Sequence, residues 1–300
     1  MAAVHFKINK KFQSTTDRGP AHEPSLWLVS LAEKGGGGGG NLIKAALERP
    51  LAKDDGGSGT VYFMKSWTSD SPSEYGTMMQ ELEILRTAAA AKSSAIVGLI
   101  ASQVSIQCIR IVLEYAPSGT MRTRYFPEGK LVLDANAAIG SDAHIRFLRD
   151  CCEPFFREAL QFMHHTVKRV YCDWKFDNIL CFDGQAGPFP RLKLADFSSV
   201  QQIGRPIVNP KNCNQAYTPP TLCAELDKIC PCPEDDYVSV RYLFAKLNGL
   251  QLSWEAVART IDEMTSVHYI MIALLKTELF TPFDVEKTIY WPAFLLPSNN

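Results

Sequence analysis

The chain has 300 residues, of which 46% are hydrophobic, and it carries 31 basic and 32 acidic side chains. A net charge of −1 gives no electrostatic reason to expect nucleic acid or an anionic membrane as the main partner. The N-terminus has no apolar signal-peptide core, and no hydrophobic run is long enough to cross a bilayer. Nine cysteines without paired CxxC spacing indicate reduced thiols rather than a zinc site. We therefore expect an intracellular protein, cytoplasmic or nuclear, with neither nucleic acid nor membrane as its partner.

The first predicted segment is a polar extension over residues 1–24, which holds several lysines and two prolines and is expected to be loosely ordered. Five strands are then predicted, at residues 26–31, 41–47, 60–65, 96–100 and 106–115, of which the segment 60–65 is β-branched and aromatic. Apolar residues at helical spacing, followed by an alanine run, predict one helix over 72–91. This part of the chain, residues 25–116, is therefore expected to form a small lobe.

The remaining chain, residues 117–300, is predicted to be mainly helical, with helices near 143–166, 236–247 and 254–278. The pattern as a whole predicts an α+β protein with two lobes. The smaller lobe is expected to contain a five-stranded antiparallel sheet and one main helix, and the larger lobe to consist mostly of helices.

Six consecutive glycines, residues 35–40, lie between the first two predicted strands. Such a run is by itself more typical of a flexible linker than of a phosphate-binding loop. The flanking strands and the residue spacing favour a loop whose backbone approaches phosphates without Cβ obstruction. The positions that carry this spacing are Gly35, Gly37, Gly40, Leu42 and Ala45.

Lys65 ends a predicted apolar strand, and Glu81 lies on the predicted helix that follows. A lysine held by a carboxylate is suited to bind the α- and β-phosphates of ATP. Glu83 is the competing partner, although the helix faces favour Glu81.

The densest group of polar residues lies at 171–178 and 196–198. Asp173 is suited to accept or orient the proton of a substrate hydroxyl, and Lys175 to place positive charge near a transferred γ-phosphoryl group. Asn178 and Asp196 offer the oxygen ligands that magnesium prefers. The alternative, a polar hairpin with capping aspartates, explains this spacing less well.

These motifs resemble those of the eukaryotic-type protein kinases, over about residues 26–250. In that family the catalytic loop reads H-R-D-x-K-x-x-N and the metal motif reads D-F-G. The matching positions here are Asp173, Lys175, Asn178, Asp196 and Phe197. The resemblance implies the bilobal kinase fold, a protein substrate, and ATP and Mg²⁺ as cofactors.

The resemblance implies further parts of a kinase. Residues 113–116 are similar to the segment that binds adenine, which implies binding through the backbone of Glu114 and Ala116. Residues 217–220 resemble the end of an activation segment. Asp236 resembles the aspartate that opens the central helix of the large lobe and braces the catalytic loop.

Several positions depart from the family's pattern, and the chief replacements are Tyr171, Cys172, Ser198, Thr221 and Arg241. Because Cys172 replaces the arginine that clamps an activation-loop phosphate, we expect either an enzyme active as synthesised or one controlled by an activating protein partner. His164 and His165 are expected to pack or cap rather than react. Such divergence is typical of a fast-evolving lineage such as a viral one.

The sequence thus favours an ATP-dependent serine/threonine protein kinase, with Lys175 as the reason for choosing serine/threonine over tyrosine. The alternatives are a pseudokinase or nucleotide-binding scaffold, a small-molecule kinase of the aminoglycoside or choline type, and an interaction domain in which the glycine run is a linker. The intact set of reacting residues argues against the pseudokinase. Lys175 and residues 217–220 favour the protein kinase over the small-molecule kinase.

Overall fold

The computed structural model describes residues 6–12, 25–32, 44–46, 61–68, 72–106, 108–127, 131–133, 138–183, 188–205, 230–249, 290 and 292–295. The chain divides into two compact units. Unit 1 combines Met1–Lys92 with Val97–Tyr115, and unit 2 combines Ser93–Ile96 with Ala116–Asn300. The described residues mix helices with small, mainly antiparallel sheets, so the fold class is α+β. Among the helices that the structure describes, none has the length and apolar character needed to cross a bilayer.

Unit 1 contains a six-stranded sheet. Its strands are β1 Phe6–Phe12, β2 Ser25–Ala32, β3 Lys44–Ala46, β4 Val61–Thr68, β5 Leu99–Val104 and β6 Cys108–Glu114. Their order in the sheet is β1-β3-β2-β4-β6-β5, and β1 also pairs with β2. Every pairing is antiparallel except the short one between β1 and β3. Strand β4 therefore has a neighbour on each side, and Lys65 lies opposite Leu26 on β2 and Ile111 on β6.

The expectation of a loosely ordered extension over 1–24 is wrong for Phe6–Phe12, which form strand β1. The sheet consequently has six strands where the sequence predicts five. A register shift between Ile8 and Lys10 interrupts the pairing of β1 with β2, so the apolar residues of the segment do not follow one uninterrupted strand period. The lysines give the segment a polar composition, which hides the strand further.

Helix α1, Pro72–Ala91, has the bounds that the sequence predicts. Its buried positions follow the helical period, and they include Met78, Glu81, Leu82, Leu85 and Ala88. The helix contacts β5 and β6. The strand predicted at 96–100 begins later, at Leu99.

Unit 2 is richer in helices. They are α2 Met121–Tyr125, α3 Asp142–Phe147, α4 Glu153–Gln161 and α5 Pro233–Leu247. A π-helical turn, Leu148–Cys152, joins α3 to α4, and a second one, Phe162–Thr166, follows α4. The helix predicted over 143–166 is therefore confirmed as one continuous helical stretch. The prediction at 236–247 is confirmed by α5, which begins a few residues earlier, and the one at 254–278 lies outside the described residues.

Two short antiparallel pairs complete the described part of unit 2. Strand β7, Arg169–Val170, pairs with β10, Gln201–Gln202. Strand β8, Ile179–Phe182, pairs with β9, Arg191–Leu194. Single 3-10 turns occur at Phe176–Asn178 and at Ala293–Leu295.

The core of unit 2 is strongly aromatic around the loop that follows β7. Trp174 has its ring centroid 5.8 Å from that of Phe156 on α4 and 5.1 Å from that of Tyr171. Phe156 in turn lies 5.2 Å from Phe244 on α5. Buried aromatic side chains contribute large apolar areas and prefer such tilted contacts. They tie the loop over 171–178 to both long helices.

Candidate active site

The loop over 171–178 is braced by α5. Asp236, which is fully buried, accepts hydrogen bonds from the backbone N–H groups of Tyr171, at 2.8 Å, and Cys172, at 3.1 Å. Its Oδ2 also lies 2.8 Å from His164 Nε2. Without this carboxylate two buried N–H groups would lose their partner, which is costly. The expected contact of Asp236 with this loop is confirmed, and His164 contacts Asp236, as expected of a packing residue.

Side chains of this loop alternate between the aromatic core and the opposite side. Trp174 and Phe176 are each only 1% exposed, and Phe176 stacks on Phe126 with ring centroids 4.2 Å apart. Lys175, between them, has an extended backbone. Because extended backbone directs successive side chains to opposite sides, Asp173 and Lys175 project away from the side that Trp174 and Phe176 fill.

Asp173 has two very different carboxylate oxygens. Oδ2 accepts hydrogen bonds from Lys175 Nζ at 2.7 Å and Asn178 Nδ2 at 2.8 Å. Oδ1 is buried and accepts no hydrogen bond from any residue that the structure describes. Burial raises the pKa of Asp173 to about 6; the Lys175 ammonium opposes this rise and the Asp196 charge adds to it. Oδ1, which is buried and has no hydrogen-bond donor among the described residues, is suited to receive a hydrogen bond from a hydroxyl group.

A hairpin brings Asn178 close to Asp196. Asn178 ends the turn before β8, and Asp196 comes two residues after β9. The pairing of Ile179 with Leu194 and a bond from Ala195 N–H to the Asn178 carbonyl, at 2.9 Å, close the hairpin. The structure thus brings together in unit 2 four residues that the sequence predicts for the site, namely Asp173, Lys175, Asn178 and Asp196.

The backbone of the site is unusual at two places. Cys172 has φ of 61° and Asp196 has φ of 58°, in the left-handed region that few non-glycine residues adopt. Such conformations cost free energy and are concentrated at functional sites. Cys172 is also buried, as expected for a small residue in the arginine's place.

In unit 1, Lys65 is paired with Glu81. Lys65 Nζ lies 2.7 Å from Glu81 Oε1, and the two side chains are 9% and 1% exposed. Glu83 is exposed, so the choice between the two carboxylates falls on Glu81. Nζ also lies 5.3 Å from the ring centroid of Trp67, a cation–π contact. The position of the ammonium is therefore fixed by a carboxylate and an aromatic ring.

The other residues predicted to bind nucleotide either contact the protein backbone or lie outside the described residues. The Glu114 backbone N–H donates to the Gly98 carbonyl at 3.0 Å, and the Glu114 carboxylate accepts from Gly98 N–H. Ala116 is buried and accepts a bond from Gly119 N–H at 3.1 Å. Ala45 lies in β3, whereas Gly35, Gly37, Gly40 and Leu42 lie outside the described residues, as do residues 217–220 and Thr221. The phosphate-binding loop stays a prediction.

The donor set of unit 2 fits magnesium, which prefers carboxylate and amide oxygens. Asn178 turns its Nδ2 toward Asp173, where it donates to the carbonyl at 3.0 Å and to Oδ2. Its Oδ1 accepts no hydrogen bond within the described part of the chain. Asn178 Oδ1 and the Asp196 carboxylate are the groups that would hold the ion.

The sequence treats Tyr171 only as a departure from a motif, but the structure gives it a role. Its hydroxyl donates to the carbonyl of Ala195, and its ring meets that of Phe197 edge-on, with centroids 5.8 Å apart. Tyr171 thus holds both neighbours of Asp196. Trp67 is a second residue that the sequence does not single out. The alternation of Trp174 and Phe176 around Lys175 is a signal that could have revealed the anchors of the loop.

Comparison with known proteins finds no family model that matches this chain and no match among curated proteins. The functional assignment therefore depends on the residues and their geometry.

Proposed function

We propose that this protein is an ATP-dependent protein kinase with the bilobal fold of the eukaryotic-type family, and that it phosphorylates serine or threonine hydroxyls. The observation that carries the proposal is the cluster of Asp173, Lys175, Asn178 and Asp196 within unit 2. Phosphoryl transfer requires little covalent chemistry from a protein and is governed by positioning and charge. A carboxylate with an open oxygen, a cation beside it and two metal-binding oxygen groups supply these requirements.

In the proposed reaction, Asp173 Oδ1 accepts the hydrogen bond of the substrate hydroxyl, orients it and takes up its proton. Lys175, bound to the other oxygen of the same carboxylate, places positive charge beside the transferred phosphoryl group. Asn178 and Asp196 would hold magnesium, which when bound neutralises charge on the phosphates.

Unit 1 contributes Lys65 to this scheme. Its ammonium would contact the α- and β-phosphates, and Glu81 keeps it in position. The backbone of Glu114 and Ala116 would bind adenine, and the glycine run over 35–40 would approach the phosphates.

Lys175 supports serine and threonine as acceptors, because kinases directed to tyrosine usually lack a lysine at this place. Its 2.7 Å contact with Asp173 Oδ2 also supports a role for Lys175 in the reaction, because a solvated surface lysine would not be held against this carboxylate. The activating partner, if the enzyme has one, would act on the position of α1, which carries Glu81.

The test is transfer of radiolabel from ATP to generic protein substrates by the full chain. We expect the wild type to label protein in the presence of Mg²⁺, and Asp196→Ala to lower the rate at least about a hundredfold, because a metal contributes several kcal/mol to stabilising the transition state. Asp150→Ala is the matched control, since this carboxylate is exposed and paired with Arg149 on the surface. Circular dichroism checks that both variants fold.

Each other result has a definite meaning. Near-wild-type turnover of Asp196→Ala would show that the metal assignment is wrong. Labelling of an aminoglycoside or choline but not of protein would favour the small-molecule kinase. Absence of any transfer, together with a rise in melting temperature on adding ATP and Mg²⁺, would identify a nucleotide-binding scaffold. Absence of both would favour an interaction domain.

A further inference from the structure

The residue after Phe197 is a serine where the D-F-G motif has glycine, and its side chain contacts Asp196. Ser198 Oγ donates to Asp196 Oδ1 at 2.9 Å, and the Ser198 backbone N–H lies 3.4 Å from the same oxygen. We propose that Ser198 is a positioning residue that fixes the Asp196 carboxylate for magnesium. This inference rests on the proposed function, because it assigns Ser198 to the same site.

The two contacts differ in strength. A distance of 3.4 Å is at the long end for an N–H donor, whereas 2.9 Å is an ordinary distance for a hydroxyl donor to a carboxylate. Bonds from a residue two positions further on are typical of aspartate in turns, where the side chain closes a ring with the backbone. Here the hydroxyl supplies the stronger of the two bonds, so the local turn depends on the side chain of Ser198.

The backbone around Asp196 explains why the bond from the Ser198 hydroxyl matters for the orientation of the carboxylate. Asp196 has φ of 58°, a conformation that aspartate tolerates best when its side chain bonds locally. Its two neighbours are held in the core, since the Ala195 carbonyl accepts the Tyr171 hydroxyl and Phe197 is fully buried. Fixing the neighbours sets the backbone of Asp196, and the Ser198 hydroxyl adds control over the rotation of its carboxylate.

A glycine at this position would retain the backbone N–H but would have no hydroxyl. Compared with glycine, serine at this position therefore adds a contact to the carboxylate proposed to bind the metal, and it also restricts the backbone. Removing a group that hydrogen-bonds to a metal-binding side chain and orients it typically lowers metal affinity by about 10- to 100-fold. We expect Ser198 to act on the metal and on the rate, and to leave the binding of the protein substrate unchanged.

The experiment measures Mn²⁺ binding to the full chain with ADP present, by the loss of the free-ion signal in electron paramagnetic resonance beyond the loss that the same ADP concentration causes without protein. Ser198→Ala should weaken Mn²⁺ binding about tenfold, as expected for one hydrogen bond to a charged group. Ser198→Thr keeps the hydroxyl and should stay within about twofold of the wild type. Ser198→Gly should resemble Ser198→Ala.

Ser239→Ala is the matched control. It removes a serine hydroxyl from the same unit, one that donates to the Asp235 carbonyl at 3.0 Å, and it should leave Mn²⁺ affinity unchanged. In the transfer assay, the Mg²⁺ concentration for half-maximal rate should rise about tenfold in Ser198→Ala, in proportion to the loss of metal affinity, while the KM for the protein substrate stays constant.

The outcomes separate this inference from the proposed function. If the wild type transfers phosphate but Ser198→Ala binds Mn²⁺ as tightly and needs no more Mg²⁺, Ser198 is not a positioning residue and the kinase proposal stands. If Mn²⁺ affinity depends on the hydroxyl but no acceptor is phosphorylated, the positioning role stands and the kinase proposal falls. If the wild type binds no Mn²⁺ with ADP, both are wrong.

Discussion

At the residue scale, the Lys65–Glu81 pair places two opposite charges where water is largely excluded. Burying an ion pair costs desolvation free energy, which close geometry offsets, and removing one partner leaves the other uncompensated. The 2.7 Å contact and the adjacent Trp67 ring supply that geometry. Each member therefore depends on the other for its position.

On the proposed function, we predict that Lys65→Met and Glu81→Gln each lower kcat/KM by about tenfold or more, since the first removes the ammonium proposed to contact the phosphates and the second removes the carboxylate that positions it. The double variant should be scarcely worse than either single one, with a coupling free energy of about 0.5–3 kcal/mol, as for residues in direct contact. A double-mutant cycle on kcat/KM measures this coupling.

Glu83→Gln is the control for this cycle, because Glu83 lies two residues from Glu81 on the same helix and is exposed. It should retain wild-type activity. Additive effects of Lys65→Met and Glu81→Gln would contradict the pair as a functional unit.

The clustering of Asp173, Lys175, Asn178 and Asp196 could be predicted from the sequence because their spacing is fixed by local geometry. Asp173, Lys175 and Asn178 share one short loop, and Asp196 follows the next strand, so the order of types already defines the cluster. The contacts of Tyr171 and Ser198 could not be predicted. These contacts depend on which atoms approach the turn after β9. From the sequence, Tyr171 and Ser198 are only departures from a motif.

At the element scale, helix α1 was predictable to its ends because proline begins it and apolar residues at helical spacing run through it. The π-helical turns around α4 have no such sequence signal, because they arise from how the long helix packs. Strand β1 was missed because its lysines make the segment polar and a register shift between Ile8 and Lys10 breaks the strand period. Its pairing with β2 is a tertiary contact.

His144 links α3 to the end of α5. Its Nδ1 accepts a hydrogen bond from Gly140 N–H at 2.8 Å, so Nε2 carries the proton and donates to the Leu247 carbonyl, also at 2.8 Å. Burial lowers the pKa of His144 from its ordinary value of 6.5, and the bond to Leu247 opposes this only in part. A second proton would have to displace the Gly140 bond.

This linkage makes the stability of unit 2 depend on pH. Below pH 6.5 the unfolded chain protonates His144 more readily than the folded chain does, so acidification favours unfolding. We predict that His144 lowers the free energy of unfolding as the pH falls below about 6.5, while the raised pKa of Asp173 acts in the opposite direction. His144→Gln should therefore lose less stability, or gain more, than the wild type between about pH 7.5 and about pH 5.5. Urea denaturation followed by circular dichroism at each pH measures it.

His165→Gln is the matched control, because His165 is exposed and lies in the π-helical turn after α4. It should keep the pH dependence of the wild type. If His144→Gln showed the same pH dependence as well, the role of His144 in acid sensitivity would be excluded.

At the scale of the whole molecule, the groups proposed for the reaction are divided between the two units. Unit 1 holds Lys65 and Glu81, and unit 2 holds the cluster around Asp173. On the proposed function, activity could be controlled through α1, which belongs to unit 1, or through the segment that follows Asp196 in unit 2.

The segment over residues 199–216 is poorly suited to control by phosphorylation. Its only hydroxyl-bearing residue is Ser199, which is buried with 3% of its surface exposed. In the kinases that the motifs resemble, an activation-loop phosphate pairs with the arginine before the catalytic aspartate. That position is Cys172 here, and a thiol forms no charge-assisted pair with phosphate.

We therefore predict that the proposed kinase activity needs no phosphate in 199–216. Protein treated with phosphatase, with removal verified by intact-mass spectrometry, should keep its kcat and its KM for ATP within about twofold of the untreated protein, because no charged pair that orders the segment is lost. Ser199→Ala, measured in parallel, separates the phosphate from the serine itself, since phosphatase can have no effect at a position without a hydroxyl. A large loss of activity on treatment, with the lost phosphate mapped to 199–216, would show that the segment is a switch despite Cys172. Retention of activity leaves the position of α1, and a protein partner that sets it, as the remaining means of control.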